Sequence, residues 1–344
     1  MRKNFFLCFA LLLIAHLVMA GQVATLSEVS IPELIYVQDS NLYVVEGIHL
    51  FVYSLKDYSL IHKIGKPGEG PGEFKHLAGG VLCIVPTPMK DKIMVSSTRK
   101  VSYFTLDGKF IKEEKSTAII GRYVPVGDKL VGMTYRQENK EPFISYNLYS
   151  TPSEKIQELF KSPVALLPGT KIDPIHGALQ DRFLILPYAG DKAVIPLELE
   201  NKILIFDSQG KTVADIGFDE SLIEVSGDIE KELDRLFSTD IRFKTLYTQL
   251  KGQNRIKFAD HLPAIREMRV GDGKIYSVSF HKKDGKSLTT IFDMQGKVLQ
   301  KVYLPLFEAN LLELHPFTFH GNKIYQLVED EEAEEWQLHI TDIK

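Results

Sequence analysis

Along most of the chain, apolar and polar residues alternate in short runs broken by tight clusters of Asp, Asn, Gly and Lys. This period of two, punctuated at close intervals, predicts strands joined by hairpins. Two patterns recur. The first is a polar turn followed by an apolar, often Tyr-bearing strand: "DSNLY" at 39–43, "KDKIM" at 90–94, "GDKLV" at 127–131, "QDRFL" at 180–184, "DGKIY" at 272–276 and "GNKIY" at 321–325. The second follows each of these: an apolar strand, then a turn centred on Asp, Gly and Lys, then another apolar strand. "FTLDGKFI" from 104, "IFDSQGKTV" from 205 and "IFDMQGKVL" from 291 are its clear copies, with "YSLKDYSLI" from 53 and "YSTPSEKI" from 149 as degenerate ones. Asp and Gly at these positions favour the positive φ that a tight hairpin needs.

Each pair of patterns makes a four-stranded unit, and the units fall at about 33–64, 80–114, 121–161, 174–217, 264–304 and 315–342. The last has room for three strands only. Val23–Ser30, ahead of the first unit, alternates as a strand should and can supply the fourth. A ring completed in this way leaves no open sheet edge at its joint. The expected fold is therefore all-β: a six-bladed β-propeller closed by an N-terminal strand.

"GKPGEGPGEF", residues 65–74, is the most distinctive stretch. A phosphate-binding loop would need a strand before it, a helix after it and usually a Lys-Ser/Thr pair. Here Glu73-Phe74-Lys75-His76 leads to Gly79-Gly80 and another strand, and two glutamates would repel an anion. The loop reads as the passage from the outer strand of one blade to the inner strand of the next. Its spaced glycines ending in Gly72-Glu73-Phe74 resemble the blade linker of NHL-type propellers and of exported bacterial six-bladed propellers. That resemblance implies a fold and no reaction.

The repeat is interrupted between blades 4 and 5 by about 221–262, where the period changes. Ile229, Leu233, Leu236 and Phe237, then Phe243, Leu246, Tyr247 and Leu250, fall at helical spacing. Two amphipathic helices are predicted, started by Asp228 and Asp240 and ended at Gly252. They would form a lid over one channel mouth or a docking surface.

The N-terminus, Met1-Arg2-Lys3-Asn4, precedes a run from Phe5 to Ala20 that lacks formal charge and is shorter than a spanning helix. This predicts a secretory signal at 1–20, cleaved after Ala20, and a periplasmic or secreted protein spanning 21–344. Loss of Arg2 and Lys3 leaves 39 basic and 45 acidic residues, net −6, which gives no footprint for nucleic acid. Cys83 is then the sole cysteine, so neither an internal disulfide nor a cysteine-based metal site can form. No cofactor, no membrane span after cleavage and a monomer are expected.

Residues at the start of inner strands face a shared channel. Aligned on the first pattern, Arg122, His176, Arg266 and His315 stand five to seven residues ahead of their turns, with His76 further ahead in blade 2. They would form a ring of positive character suited to a carboxylate, sugar acid or peptide terminus. The alternative is that they bond neighbouring blades. Propellers of the gluconolactonase and paraoxonase type hold an axial metal through Glu, Asn and Asp; the matching positions here carry Arg and His. No HxH or HExxH spacing and no GxSxG elbow occurs. The acidic tip 329–336, Trp336 and Cys83 read as a solvated hairpin, blade packing and a buried strand residue. The expected function is non-catalytic binding of a protein partner or a small polar or anionic ligand on one face, the alternative a metal-dependent hydrolase or lyase.

Overall fold

The structure is a computed structural model that describes residues 21–77, 82–116, 122–139, 141–163, 171–180, 185–186, 188, 190–197, 200–218 and 222–343. The expected signal segment 1–20 lies outside them. Strand β1 (Gly21–Thr25) comes first. Blade 1 is β2 (Leu34–Gln38), β3 (Asn41–Glu46), β4 (His49–Ser54) and β5 (Leu60–Ile64); blade 2 is β6 (Ile84–Pro88), β7 (Lys92–Ser97), β8 (Lys100–Thr105) and β9 (Phe110–Lys115). Blade 3 is β10 (Arg122–Val126), β11 (Lys129–Glu138), β12 (Glu141–Thr151) and β13 (Glu154–Pro163). Helix α1 (Pro174–Gln180) precedes blade 4, whose described strands are β14 (Lys192–Leu197), β15 (Lys202–Asp207) and β16 (Thr212–Gly217). Helices α2 (Gly227–Thr239) and α3 (Lys244–Gly252) follow, then blade 5 with β17 (Glu267–Gly271), β18 (Lys274–Lys283), β19 (Lys286–Asp293) and β20 (Val298–Leu304). Blade 6 is β21 (Phe317–His320), β22 (Lys323–Asp330) and β23 (Glu335–Asp342), with β1 paired antiparallel to β23 from Gly21↔Ile340 to Thr25↔Gln337.

Alternation along the central strands builds the cores. On β3, Tyr43 and Val45 join Ile84, Ile93 and Val95 of blade 2, whereas Leu42 and Val44 join Leu327 and Leu338 of blade 6. Successive side chains point to opposite faces of a strand, so every blade is a wall between two apolar layers. This is why the middle strands read as nearly continuous apolar runs.

The second sequence pattern is a specific turn. Asp207 Oδ1 accepts the amides of Gln209 and Lys211, both at 2.9 Å, and Asp293 Oδ1 those of Gln295 and Lys297, both at 2.9 Å. In blade 2 the Thr105 hydroxyl takes this place, accepting the Lys109 amide at 3.0 Å. The register then sets a lysine opposite the turn's first residue: Lys274↔Asp293 and Lys92↔Thr105.

The same register corrects blade 4. Its equivalent pair is Lys192↔Asp207, so the copy of the first pattern that enters this hairpin is Gly190-Asp191-Lys192-Ala193-Val194. Of the copy expected at 180–184, Gln180 ends α1, and 181–184 lie outside the described residues. "QDRFL" and "GDKAV" both offer a polar turn before apolar residues, and only pairing with β15 tells them apart.

The glycine-rich linker folds around its own carboxylate. Glu73 Oε2 accepts the Gly70 amide at 2.9 Å, Phe74 N–H donates to Lys66 O at 2.8 Å, and Gly68 N–H donates to Phe74 O at 3.1 Å. A Cβ on Gly68, at φ +145°, would fall 2.1 Å from Glu73 Oε2. Phe74, 1% exposed, anchors the loop in the core between blades 1 and 2, and Lys100 Nζ holds Gly70 O at 2.9 Å. Where a phosphate loop keeps its amides for an anion, this one has a glutamate in place.

Candidate functional site

In an antiparallel blade the inner strand begins on the face where the outer strand ends. All linkers between blades, and the helical insertion, therefore emerge on one face, here termed the entry face. Arg122 opens β10, Arg266 immediately precedes β17, and His315 lies two residues before β21. His76 lies exposed in the linker, its ring 3.7 Å from where a Gly47 Cβ would stand. His176 is on α1, and its side chain lies outside the described residues.

Arg266, His315 and Arg122 stand in separate surroundings. Arg266 is 0% exposed: it pairs with Glu308, donates to Asn310 O at 2.8 Å and Glu313 O at 3.3 Å, and lies over the Phe280 ring at 5.5 Å. It fastens the linker between blades 5 and 6. His315 stands edge-on to Trp336, ring centroids 5.8 Å apart, and burial lowers its pKa, with the Glu331 charge opposing. Its imidazole is therefore neutral at neutral pH. Arg122 is buried, and its charge acts on Glu33 and Tyr36 of blade 1.

A group that the turn alignment passed over stands on the inner strands of blades 1 and 5. Arg269 donates to Glu267 at 3.0 Å, to Met268 O at 2.7 Å and across to Phe317 O of blade 6 at 2.9 Å, lying 4.4 Å over the Phe317 ring. Glu33 accepts the Gly47 amide at 3.0 Å. Its pKa is raised by burial, with the Gly47 hydrogen bond opposing, Glu46 adding and Arg122 opposing. The Tyr36 hydroxyl is buried without a hydrogen-bond partner among the described residues; burial pushes its pKa up, against the pull of Arg269 and Arg122. Two guanidiniums thus stand with two carboxylates. Buried charge is tolerated when compensated, and among the described residues Glu267 pairs with Arg269 while Glu33 lies within the field of Arg122. Alternate residues in "REMRV" carried the signal, but Arg269 lies past the positions aligned.

The insertion has both predicted helices, with two changes. Ser226, not Asp228, precedes the first turn of α2, and Asp240 starts a separate turn, its Oδ1 accepting the Arg242 amide at 2.8 Å before α3 begins. Leu233, Phe237, Tyr247 and Leu250 are buried. Leu246, placed on the buried stripe by its spacing, is 52% exposed, and Ile241 between the helices is 82% exposed. The buried side packs on Ile175 and Leu179 of α1, Ile203 of blade 4, Phe280 of blade 5 and Leu312 of the next linker. Arg242 pairs with Asp240 and, at 2.8 Å, with Glu313, which ties the insertion to the linker.

Cys83 is buried and accepts the Leu77 amide at 3.3 Å; burial pushes its thiol pKa up, against that hydrogen bond and with Glu33 adding. A thiol so placed is a poor nucleophile. Among the described residues no three His, Cys, Asp or Glu side chains stand where they could hold a metal, and no helix is long and apolar enough to cross a membrane.

A family model described as a 6-bladed beta-propeller matches residues 24–166. The chain is a six-bladed β-propeller. No curated protein matches it. Among solved structures, the propeller is similar to BamB from Moraxella catarrhalis (9% identity, TM-score 0.35, 89% of this chain and 71% of that one) and to a luciferin-regenerating enzyme (10%, 0.43, 93% and 94%). It is also similar to the Pan2 WD40 domain of Neurospora crassa (7%, 0.44, 91% and 90%). Propellers host binding proteins and enzymes alike, so the fold alone does not assign a function.

Proposed function

We propose that the protein is an exported, non-catalytic binding protein that engages a protein partner on its entry face, at the helical insertion. One observation carries this reading: Ile241 and Leu246 stand 82% and 52% exposed on a segment that is otherwise locked down by buried Leu233, Phe237 and Tyr247 and by the Arg242–Glu313 pair. Exposed aliphatic side chains on a preorganised surface lose little entropy when a partner covers them. The entry-face cations do not offer an equivalent surface, since Arg266 is engaged by Glu308 and Arg122 is buried. Export rests on the charge pattern of residues 1–20; mass measurement of the mature protein and cell fractionation test it, with Gly21 the expected first residue.

The partner reading is tested with Ile241→Glu/Leu246→Glu. Cross-linking in the native host, with partners identified by mass spectrometry, should give a stoichiometric partner for the parent chain. The double variant should lose it while melting at the same temperature. Equal recovery from both chains overturns the proposal.

A further inference from the structure

The insertion also contains a groove, whose lining includes neither Ile241 nor Leu246. It lies between α2, α3 and the strap 254–260, has a volume of about 440 Å³, and has Val225, Tyr247, Ile256, Phe258 and Ala259 as its apolar wall. That volume lies in the range of small-molecule sites, roughly 300–1,000 Å³.

The groove stays open because its strap is tied to other segments. Ile172 N–H donates to Arg255 O at 2.7 Å and Lys257 N–H to Ile172 O at 3.0 Å; at the other end Val225 N–H donates to Asp260 O at 2.9 Å. Fixed by backbone bonds at both ends, the strap packs Ile256 and Phe258 against the helices yet leaves them and Val225 partly exposed. The aromatic wall is equally fixed: the Tyr247 and Phe258 rings lie 29° from parallel at 6.5 Å, with Phe237 stacked behind both at 5.5 and 6.3 Å.

The charges of the rim divide into engaged and free. Asp234 accepts the Tyr247 hydroxyl at 2.7 Å and pairs with Lys251, while Lys171 beyond the strap is held by Asn254 O and Oδ1. Glu230, Asp260 and Lys257 form no ion pair among the described residues. Two carboxylates and one ammonium without an ion-pair partner among the described residues thus line the groove together with its aromatic and aliphatic wall. We propose that this groove is a binding site for a small organic cation with an apolar body, its ammonium beside Glu230 and Asp260 and its body against Ile256 and Phe258. This site is independent of the protein-partner reading and stands or falls apart from it.

Calorimetric titration with 2-(1-naphthyl)ethylamine and with 3-(1-naphthyl)propionate, a matched body of opposite charge, tests it. The amine should saturate a single site and bind about tenfold more tightly than the acid, a difference of about 1.4 kcal/mol. Glu230→Gln/Asp260→Asn, both exposed changes, should abolish that preference, and Ile256→Ser should weaken the amine while circular dichroism confirms a folded chain. Acid binding as tight as the amine, no saturable binding of the amine, or amine affinity unchanged in the double carboxylate variant overturns the proposal.

Discussion

Arg266 and Glu308 form an ion pair that ties the entrance of blade 5 to the linker leading into blade 6, and the guanidinium side of it is wholly out of solvent. Lys282 approaches the same carboxylate from the β18–β19 hairpin, and Arg266 satisfies two linker carbonyls besides. Removing one partner of a buried pair leaves the other charge and its neighbours unsatisfied. Arg266→Met should lower the stability measured by urea unfolding by about 3 kcal/mol. Arg266→Lys should recover little of it, because one ammonium cannot replace the planar fork that reaches Glu308, Asn310 and Glu313 together.

Glu308 also sets a pH dependence. Burial pushes its pKa up, but the hydrogen bonds and charges of Lys282 and Arg266 outweigh burial, and the net shift is downward. A folded pKa below the unfolded one means the stabilisation is complete above the unfolded value and is lost as pH falls through the folded one. Stability should therefore fall on acidification below about pH 4.5, the ordinary glutamate range, and Glu308→Gln should show a shallower decline there. An identical acid limb in the two proteins would contradict this.

Turn glycines differ according to what their missing Cβ would meet. On Gly296 (φ +85°) a Cβ would fall 2.8 Å from Ala214 Cβ on the outer strand of the preceding blade; on Gly273 (φ +68°) nothing lies within 4 Å. Both alanine variants incur the left-handed backbone cost of about 1–2 kcal/mol. Only Gly296→Ala must also push two blades apart, so its melting temperature should fall further than that of Gly273→Ala.

Asp207 and Asp293 each close their turn with two amide hydrogen bonds, in different blades. Replacing either with Ala should cost about 1 kcal/mol, in the range of a lost cap. Because the sites share no partner, the double variant should cost the sum to within about 0.5 kcal/mol. A sizeable coupling in a double-mutant cycle would show that the turns do not act locally.

In the linker, Phe74→Ala empties a site between blades 1 and 2 and should destabilise by about 3–5 kcal/mol. Glu73→Ala releases the Gly70 amide but leaves that anchor in place. Its loss should be about 1 kcal/mol, so chemical unfolding should rank the two variants in that order.

Much of the fold is legible in order of residues because hairpins are local. Asp-x-x-Gly-Lys writes its own turn, and alternation assigns Tyr43 and Leu42 to opposite faces before any blade has a neighbour. Blade 4 shows the limit of that locality: "QDRFL" and "GDKAV" are equal as local signals, and the choice between them is made by pairing with β15. Leu246 shows the limit for helices, where spacing gives a face but not the width of the surface available to bury it.

The sequence by itself determined most of the hairpins, the sixfold count and the two helices of the insertion, since each depends on residues a few positions apart. Tertiary structure alone decided which charges remain free. Arg266 and Glu308, Arg269 and Phe317, and Arg242 and Glu313 are distant along the chain, and a long cationic side chain takes whichever carboxylate or carbonyl the assembled blades bring within reach. That is why Arg266 serves as a brace between blade 5 and the next linker, and why a groove lined by Glu230 and Asp260 emerged in a helical segment chosen by its apolar spacing.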